Sequence, residues 1–214
     1  MKVGEAIDRI QSMYSRGAAS SSSRLQSRYI YNAIKTARAL IAEDVFWRSG
    51  GFEYSNICVD IEEVAPDKCG CRPSMGVTFW RSCKQIPTPL KRRDKYLVSA
   101  SSVDGTMTIS QTTWEAARHR EGSRYKLNEF YIKDGYFWYI STGHRIKSFD
   151  LNGVWFDPVE AEAFNNVVVD ANDVDIRTSP ALWERIMEVV KNDLSFFIKM
   201  QEDGTTDGKD NPSK

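Results

Sequence analysis

Asn128-Glu129-Phe130-Tyr131-Ile132-Lys133-Asp134-Gly135-Tyr136-Phe137-Trp138-Tyr139-Ile140-Ser141 is the stretch on which the fold of this chain turns. Two short runs, Glu129 to Ile132 and Phe137 to Ile140, are rich in aromatic and β-branched residues, which suit a pleated and packed surface. Between them stands Asp134-Gly135, a pair that accepts the positive φ of a tight turn. The stretch therefore reads as a β-hairpin, and the same pattern recurs on both sides of it. Upstream, Tyr96 to Ser99 and Thr106 to Ser110 flank Asp104-Gly105; downstream, Arg145 to Asp150 and Val154 to Phe156 flank Asn152-Gly153. Earlier still, Ile57, Val59 and Ile61 alternate with Cys58, Asp60 and Glu62, which places one row in a core and the other toward solvent. The middle of the chain, residues 51–158, is thus expected to be an antiparallel meander.

On either side of this region the apolar period becomes helical. Val3, Ala6, Ile7, Ile10, Met13 and Tyr14 recur at three- and four-residue spacing and predict a helix that stops near Gly17. Ser23 followed by Gln26 has the spacing of a capping box. From there Leu25, Tyr29, Ile30, Ala33, Ile34, Ala37, Leu40, Ile41 and Phe46 hold one face until Ser49-Gly50-Gly51, so residues 1–50 read as a helical hairpin. The cysteine and proline stretch from Pro66 to Pro89 shows neither period and reads as an ordered loop pinned by Pro66, Pro73, Pro87 and Pro89. Asp157-Pro158 ends the last strand. A polar linker over 159–178, with one helical turn at Ala161 to Ala163, then leads to Ser179, which caps a helix with Pro180 at its first position. Leu182, Ile186, Val189, Val190, Leu194, Phe197 and Ile198 form the apolar face of this helix, residues 179–200. Residues 201–214 hold no aliphatic or aromatic side chain and read as a flexible tail. The expected fold is α+β: an N-terminal helical hairpin, an antiparallel β domain with a long Cys/Pro loop, and a C-terminal helix with a mobile tail.

Composition removes several functions from consideration. The 29 lysines and arginines are balanced by 29 aspartates and glutamates, so no bulk field draws the chain to nucleic acid or to an anionic membrane. No apolar run approaches the roughly 20 residues of a membrane span, and the amino terminus is amphipathic rather than signal-like, so neither membrane insertion nor secretion is expected. No G-x-S-x-G elbow, H-E-x-x-H, Walker A loop or dinucleotide fingerprint occurs, and an enzyme is not expected. His119 and His144, the only histidines, lie in no ligand or catalytic spacing. Cys58, Cys69, Cys71 and Cys83 have the count of a closed zinc site, but Cys69-Gly70-Cys71 has one intervening residue where paired knuckles have two. No metal or cofactor is assigned to them.

Two surfaces remain as candidates. Lys91-Arg92-Arg93-Asp94-Lys95 could contact phosphates, with Trp80 and Tyr96 available to stack on bases, although no nucleic-acid-binding fold signature accompanies it. On the second helix, Arg24, Arg28, Lys35 and Arg38 flank the apolar row, with Tyr31 and Asn32 interleaved, a composition favoured at protein interfaces.

Gly4-Glu5-Ala6-Ile7-Asp8-Arg9-Ile10-Gln11-Ser12-Met13-Tyr14-Ser15-Arg16-Gly17, Ser23-Arg24-Leu25-Gln26-Ser27-Arg28-Tyr29-Ile30-Tyr31-Asn32, Cys58-Val59-Asp60-Ile61, Cys69-Gly70-Cys71-Arg72-Pro73, Ile86-Pro87-Thr88-Pro89, Val103-Asp104-Gly105, Gly153-Val154-Trp155-Phe156-Asp157-Pro158 and Glu202-Asp203-Gly204-Thr205-Thr206-Asp207-Gly208 are spread along the chain. Together these segments resemble the connector ring proteins of crAss-like phages and related podophages of Bacteroidota. The likeness departs after Cys71, where Val77 and its neighbours stand in place of a further cysteine. The resemblance implies a structural virion protein with no catalytic residues. It would form a ring of about twelve copies between the portal and the next tail ring protein, in the neck or tail of the virion, assembled in the cytoplasm of the bacterial host. It also implies an axial channel in which phage DNA makes transient, non-specific contact. On that reading Arg24, Arg28, Tyr31 and Arg38 are the expected ring interface, and Lys91, Arg92, Arg93 and Lys95 the expected contact with DNA in the channel. The alternative is a small nucleic-acid-binding or zinc-stabilised interaction module.

Overall fold

A computed structural model of the chain describes residues 1–15, 26–45, 54–64, 78–92, 95–119, 128–141, 146–165 and 168–206, with backbone alone at 15, 43–45, 92, 118–119 and 196–206. The chain divides into two compact units, one of Glu53–Val169 and one that joins Met1–Phe52 to Asp170–Lys214. The molecule is α+β, as the sequence predicts.

The first unit is built on β1 (Ser55–Glu63), β2 (Thr78–Ser82), the short β3 (Lys91–Arg92) and β4 (Lys95–Tyr96), β5 (Val98–Ser102), β6 (Thr108–Gln111), β7 (Asn128–Lys133), β8 (Tyr136–Ser141) and β9 (Ser148–Gly153). Seven of these close into a barrel in the order β1-β2-β8-β7-β6-β5-β9, while β3 and β4 form a separate two-stranded ribbon. The hairpin read from Asn128 to Ser141 is β7-β8, and Asp134 and Gly135 join its strands at φ of 55° and 78°. The Asp104-Gly105 turn also forms, with Gly105 at φ 69° and its N–H donating to the Ser102 carbonyl at 2.8 Å.

Four sequence readings are corrected here. The β region is not a pure antiparallel meander, because β6 and β7 run parallel, pairing Ser110 with Glu129 and Gln111 with Phe130. Residues 112–127 lie between those strands and include α3 (Trp114–His119), and a connection of that length lets the chain return in the same direction. Asn152-Gly153 is no turn: it lies inside β9, where Gly153 pairs with both Ser55 and Val98. Glycine is needed there for close approach, since a Cβ would stand 2.6 Å from Val98 Cγ2. Val154 to Phe156 make no strand, and Trp155 forms only a bridge to Pro89. Part of the stretch from Pro66 to Pro89 is ladder rather than loop, because Thr78–Ser82 is β2 and pairs with β1 and β8. Pro66, Pro73, Cys69 and Cys71 lie outside the described residues.

The barrel is filled by its inward rows. Ile57, Val59 and Ile61 of β1 meet Phe130, Phe137, Tyr139, Phe149 and Leu151. Phe130 stacks on Phe137 at 5.3 Å, and Tyr139 meets Phe149 edge-on at 4.8 Å, spacings at which aromatic quadrupoles attract. Two polar tips are satisfied, with the Tyr139 hydroxyl donating to Asn128 Oδ1 at 3.0 Å and Trp155 Nε1 donating to the Ser55 carbonyl at 3.0 Å. β8 is buried on both faces: Trp138 and Ile140 point outward but pack with Tyr131, Val64, Phe79 and Trp114. Continuous burial is what a run without polar alternation, Phe137-Trp138-Tyr139-Ile140, requires.

The stretch read as a linker over 159–178 is largely built. Asp157 accepts from the N–H of Val159 at 2.9 Å and opens α4 (Pro158–Asn165), with Pro158 at its first position. At the other end of α4, Asn165 uses both amide atoms on the open side of β1: Nδ2 donates to the Asn56 carbonyl at 2.7 Å and Oδ1 accepts from the Cys58 N–H at 3.3 Å. A 3-10 turn follows at Ala171–Asp173.

The helical unit consists of α1 (Val3–Ser15), α2 (Ser27–Val45) and α5 (Pro180–Thr206). Ser179 caps α5 as expected, its Oγ 3.4 Å from the Leu182 N–H, but the helix runs to Thr206, beyond the predicted end at 200. Residues 207–214 lie outside the described residues, as does Ser23; the Gln26 carbonyl receives the first N–H groups of α2, from Tyr29 at 2.9 Å. The amino terminus pairs with the strand-like segment before α5, through Val3 N–H to the Val174 carbonyl at 2.9 Å and Ile176 N–H to the Met1 carbonyl at 3.0 Å. Tyr14 ties α1 to α5 by donating its hydroxyl to the Lys191 carbonyl at 2.9 Å. Ile7, Ile10, Ile30, Ile34, Ile186 and Val190 are among the side chains that form the core.

Candidate functional site

The orientation of α2 decides what this helix offers to a partner. Ile30, Ile34, Ala37 and Ile41 are buried, as the apolar row predicts, and so is Ala42, but Tyr29 and Leu40 are not: they are 53% and 55% exposed. A row from Tyr29 through Ile34 to Ile41 is wider than the stripe of about 100° that a helix needs to bury. The helix meets the unit with one edge of that stripe turned in and the other turned out. Arg38, on the inward edge, is 3% exposed, although the sequence reading places it on the interface flank. Arg28 is exposed, and Tyr31 is half-buried beneath Lys35, whose Nζ lies 4.8 Å from the Tyr31 ring centroid. Arg24 lies outside the described residues. The outward face therefore carries Tyr29, Asn32, Thr36 and Leu40, with Arg28 and Lys35 on its flank. Sequence reasoning missed Tyr29 and Leu40 as surface residues, and the excess width of the apolar stripe was the available signal.

The basic run lies on the ribbon β3-β4, where Lys91 pairs with Tyr96 and Arg92 with Lys95. Lys91 and Lys95 are exposed, and Lys91 Nζ stands 4.6 Å from the Tyr96 ring centroid, so the ring holds the charge up rather than hiding it. Arg93 and the Arg92 side chain lie outside the description. The root of the ribbon is fixed to the barrel, with Leu90 N–H donating to the Val154 carbonyl at 2.8 Å and Val154 N–H donating to the Leu97 carbonyl at 2.9 Å. Trp80, the other stacking candidate, packs against the barrel core.

The cysteines offer little to a metal. Cys58 and Cys83 are free and exposed, and among the described residues no group of three or more His, Cys, Asp or Glu could hold an ion. Burial, and then the carboxylates of Asp150 and Asp60, push the Cys58 thiol up, which is the wrong direction for a thiolate ligand or nucleophile. Asp150 is the cross-strand partner of Cys58, so this side of the barrel is acidic by construction. His144 and the His119 side chain lie outside the description, and no described helix is long and apolar enough to cross a membrane.

What the geometry provides is surface: a rigid barrel with a basic ribbon, and a helical unit with an uncovered stripe. This is the equipment of a structural protein that works by contact with other macromolecules. The family described as phage tail ring protein 2, of the crAss ring group, matches the chain over residues 5–212, and the chain belongs to that family. It is a ring protein of the phage tail and a structural component of the virion, in agreement with the resemblance to crAss-like phage ring proteins. No curated protein matches the chain.

Proposed function

We propose that the chain forms an adaptor ring between the portal and the next ring protein of the tail, about twelve copies surrounding an axial channel for DNA. The family match over residues 5–212 carries this reading. A ring needs a heterologous contact, in which one patch of each copy meets a different patch of the next and the rotation closes the circle. The basic, tyrosine-bearing flank of α2, with Arg28 and Tyr31, is the ring-contact candidate, together with Arg24, which precedes it in the sequence; Arg38, the fourth candidate, is buried in the helical unit. Lys91 and Lys95 on the β3-β4 ribbon, with Arg92 and Arg93 between them in the sequence, are the channel candidates that give passing DNA a positive, sequence-independent surface. Assembly takes place in the host cytoplasm, before or as the tail joins the filled head.

Negative-stain images of the purified protein with and without its portal test this function. Rings alone, or rings capping the portal, are expected; no ring in either sample overturns the proposal. The channel contact has its own measurement. Retention of short duplex DNA by the assembled ring is expected to fall with salt, and the paired change Lys91→Glu and Lys95→Glu to flatten that dependence by about 0.9 in log–log slope per contact removed.

A further inference from the structure

We propose that the outward stripe of α2 docks on the acidic outer wall of the barrel of the neighbouring copy, the wall formed by β1 and β9. This assignment rests on the ring reading above and names the two patches that meet.

The stripe has the composition of a contact. Tyr29 and Leu40 stand more than half exposed at its two ends, with Thr36 between them. Leu40 lies eleven steps along the helix from Tyr29, and a rise of about 1.5 Å per residue makes the stripe roughly 16 Å long. From Ser27 to Ala42 the helix contains Arg28, Lys35 and the buried Arg38 and no acidic residue, and Glu43 and Asp44 follow near its C-terminal end. A closed ring needs a heterologous contact, so the second copy must offer a different surface to this stripe.

The outer wall of β1 and β9 meets that condition. Ile57, Val59 and Ile61 point inward, so Asn56, Cys58, Asp60 and Glu62 point out; Phe149 and Leu151 point inward, so Ser148, Asp150 and Asn152 point out. Every charge on these outward rows is negative. Glu62 is bound by Arg81 at 3.0 Å, whereas among the described residues Asp60 and Asp150 form no ion pair. Asp60 pairs with Ser148 and Cys58 with Asp150 in the ladder, which sets the two carboxylates at a diagonal on one wall. Other acidic positions are less suitable: Glu5 and Asp8 of α1 are followed by Arg9, and Glu184 and Glu188 of α5 are interleaved with Arg185 and Lys191.

The arrangement predicts an assembly result that few other contacts would give. One variant carries Arg28→Glu and Lys35→Glu, the other Asp60→Lys and Asp150→Lys, and circular dichroism and thermal melting establish that each is folded. Native mass spectrometry and negative-stain imaging, with and without portal, read assembly. Each variant alone is expected to lose at least tenfold in the fraction of chain in rings. In a one-to-one mixture, reversed stripes meet reversed walls and native stripes meet native walls, so even-numbered rings with alternating variants are expected to return. Rings from either folded variant alone, or no recovery on mixing, overturn the assignment and leave the ring reading intact. An unfolded variant is replaced by its neutral form, Arg28→Gln with Lys35→Gln or Asp60→Asn with Asp150→Asn, for which a partial loss is expected and an unchanged ring fraction is contrary. Wild-type protein that forms no ring in either condition overturns both readings.

Discussion

Phe130, Phe137, Tyr139, Phe149 and Trp155 point into the barrel with no more than 2% of their surface exposed, while α2 in the helical unit leaves Tyr29 and Leu40 at 53% and 55%. The two regions have similar apolar supplies and differ in geometry. A sheet closed on itself has no edges, and each inward row meets others across a fixed interior, so nothing apolar on those rows is left over. A helix has a full circumference and buries only the arc that its neighbours touch. Where the apolar stripe is wider than that arc, the remainder faces outward and is available to another chain. One region is finished within the monomer, and the other is completed by assembly.

The largest expected effect tests the finished region. Phe137→Ala removes a ring packed against both Phe130 and Phe149, and is expected to destabilise the folded chain by about 3–5 kcal/mol in urea titration. A cost no larger than that of a surface change would break the comparison, because it would mean that the barrel interior is not close-packed. Gly153→Ala comes next. The added methyl would stand 2.6 Å from Val98 Cγ2 and 3.1 Å from the Leu97 carbonyl oxygen, and overpacking of this kind costs about 1–3 kcal/mol. If Asn152-Gly153 were the turn that the sequence suggests, the same substitution would instead report on a positive φ, so a Gly153→Asn variant separates the cases: asparagine tolerates a left-handed turn but not this packing. Gly135→Ala examines the true turn, where φ is 78° and the nearest side-chain atom to a Cβ is 3.6 Å away, so the cost is backbone strain of about 1–2 kcal/mol.

These positions also show what was legible in the sequence. Asp134-Gly135 and Asp104-Gly105 were readable as turns because the strands on both sides have clear ends. Asn152-Gly153 has the same letters and a different role, because a glycine inside a strand and a glycine in a turn differ only in what approaches it, and Val98 is far away in sequence. β2 was hidden in the proline- and cysteine-rich stretch since Thr78-Phe79-Trp80-Arg81-Ser82 does not alternate: Phe79 and Arg81 lie on the aromatic outer face and Trp80 on the core. The parallel β6-β7 pair was unreadable because period gives strands, not their partners. In α2 the pattern located the stripe but not the arc of it that would be buried, so Arg38 was expected outside, and Tyr29 and Leu40 inside. The basic ribbon was legible as charge, and its rigid root was not, since Leu90, Leu97 and Val154 are joined only by the fold.

Leu40→Ser sharpens the comparison from the other side. It replaces a large residue of the core-like pattern, yet at 55% exposure it is expected to change monomer stability by no more than about 0.5 kcal/mol while reducing the fraction of chain in rings. A loss of several kcal/mol in urea titration would mean that Leu40 belongs to the helical core after all.

The smallest effect belongs to the β5-β6 turn, where water competes with every bond. Asp104 accepts from the Ser102 hydroxyl, and then from the Thr106 hydroxyl at 2.9 Å and its N–H at 3.2 Å; these bonds, in that order of size, hold its carboxyl below the ordinary carboxylate value. A carboxyl with a depressed folded-state pKa binds its proton more weakly in the folded chain than in the unfolded one. Its contribution to stability is therefore fully present above the unfolded value of about 3.9, and is lost as pH falls through the folded value below it. Because the group is fully exposed, the slope it adds is small against that of the other carboxylates, and only a difference measurement isolates it. Urea midpoints of wild type and Asp104→Asn, taken between about pH 6 and pH 2, are expected to lie furthest apart at the upper end and to converge at the lower. A constant separation across that range would mean that the Asp104 hydrogen bonds hold the turn without favouring the ionised form.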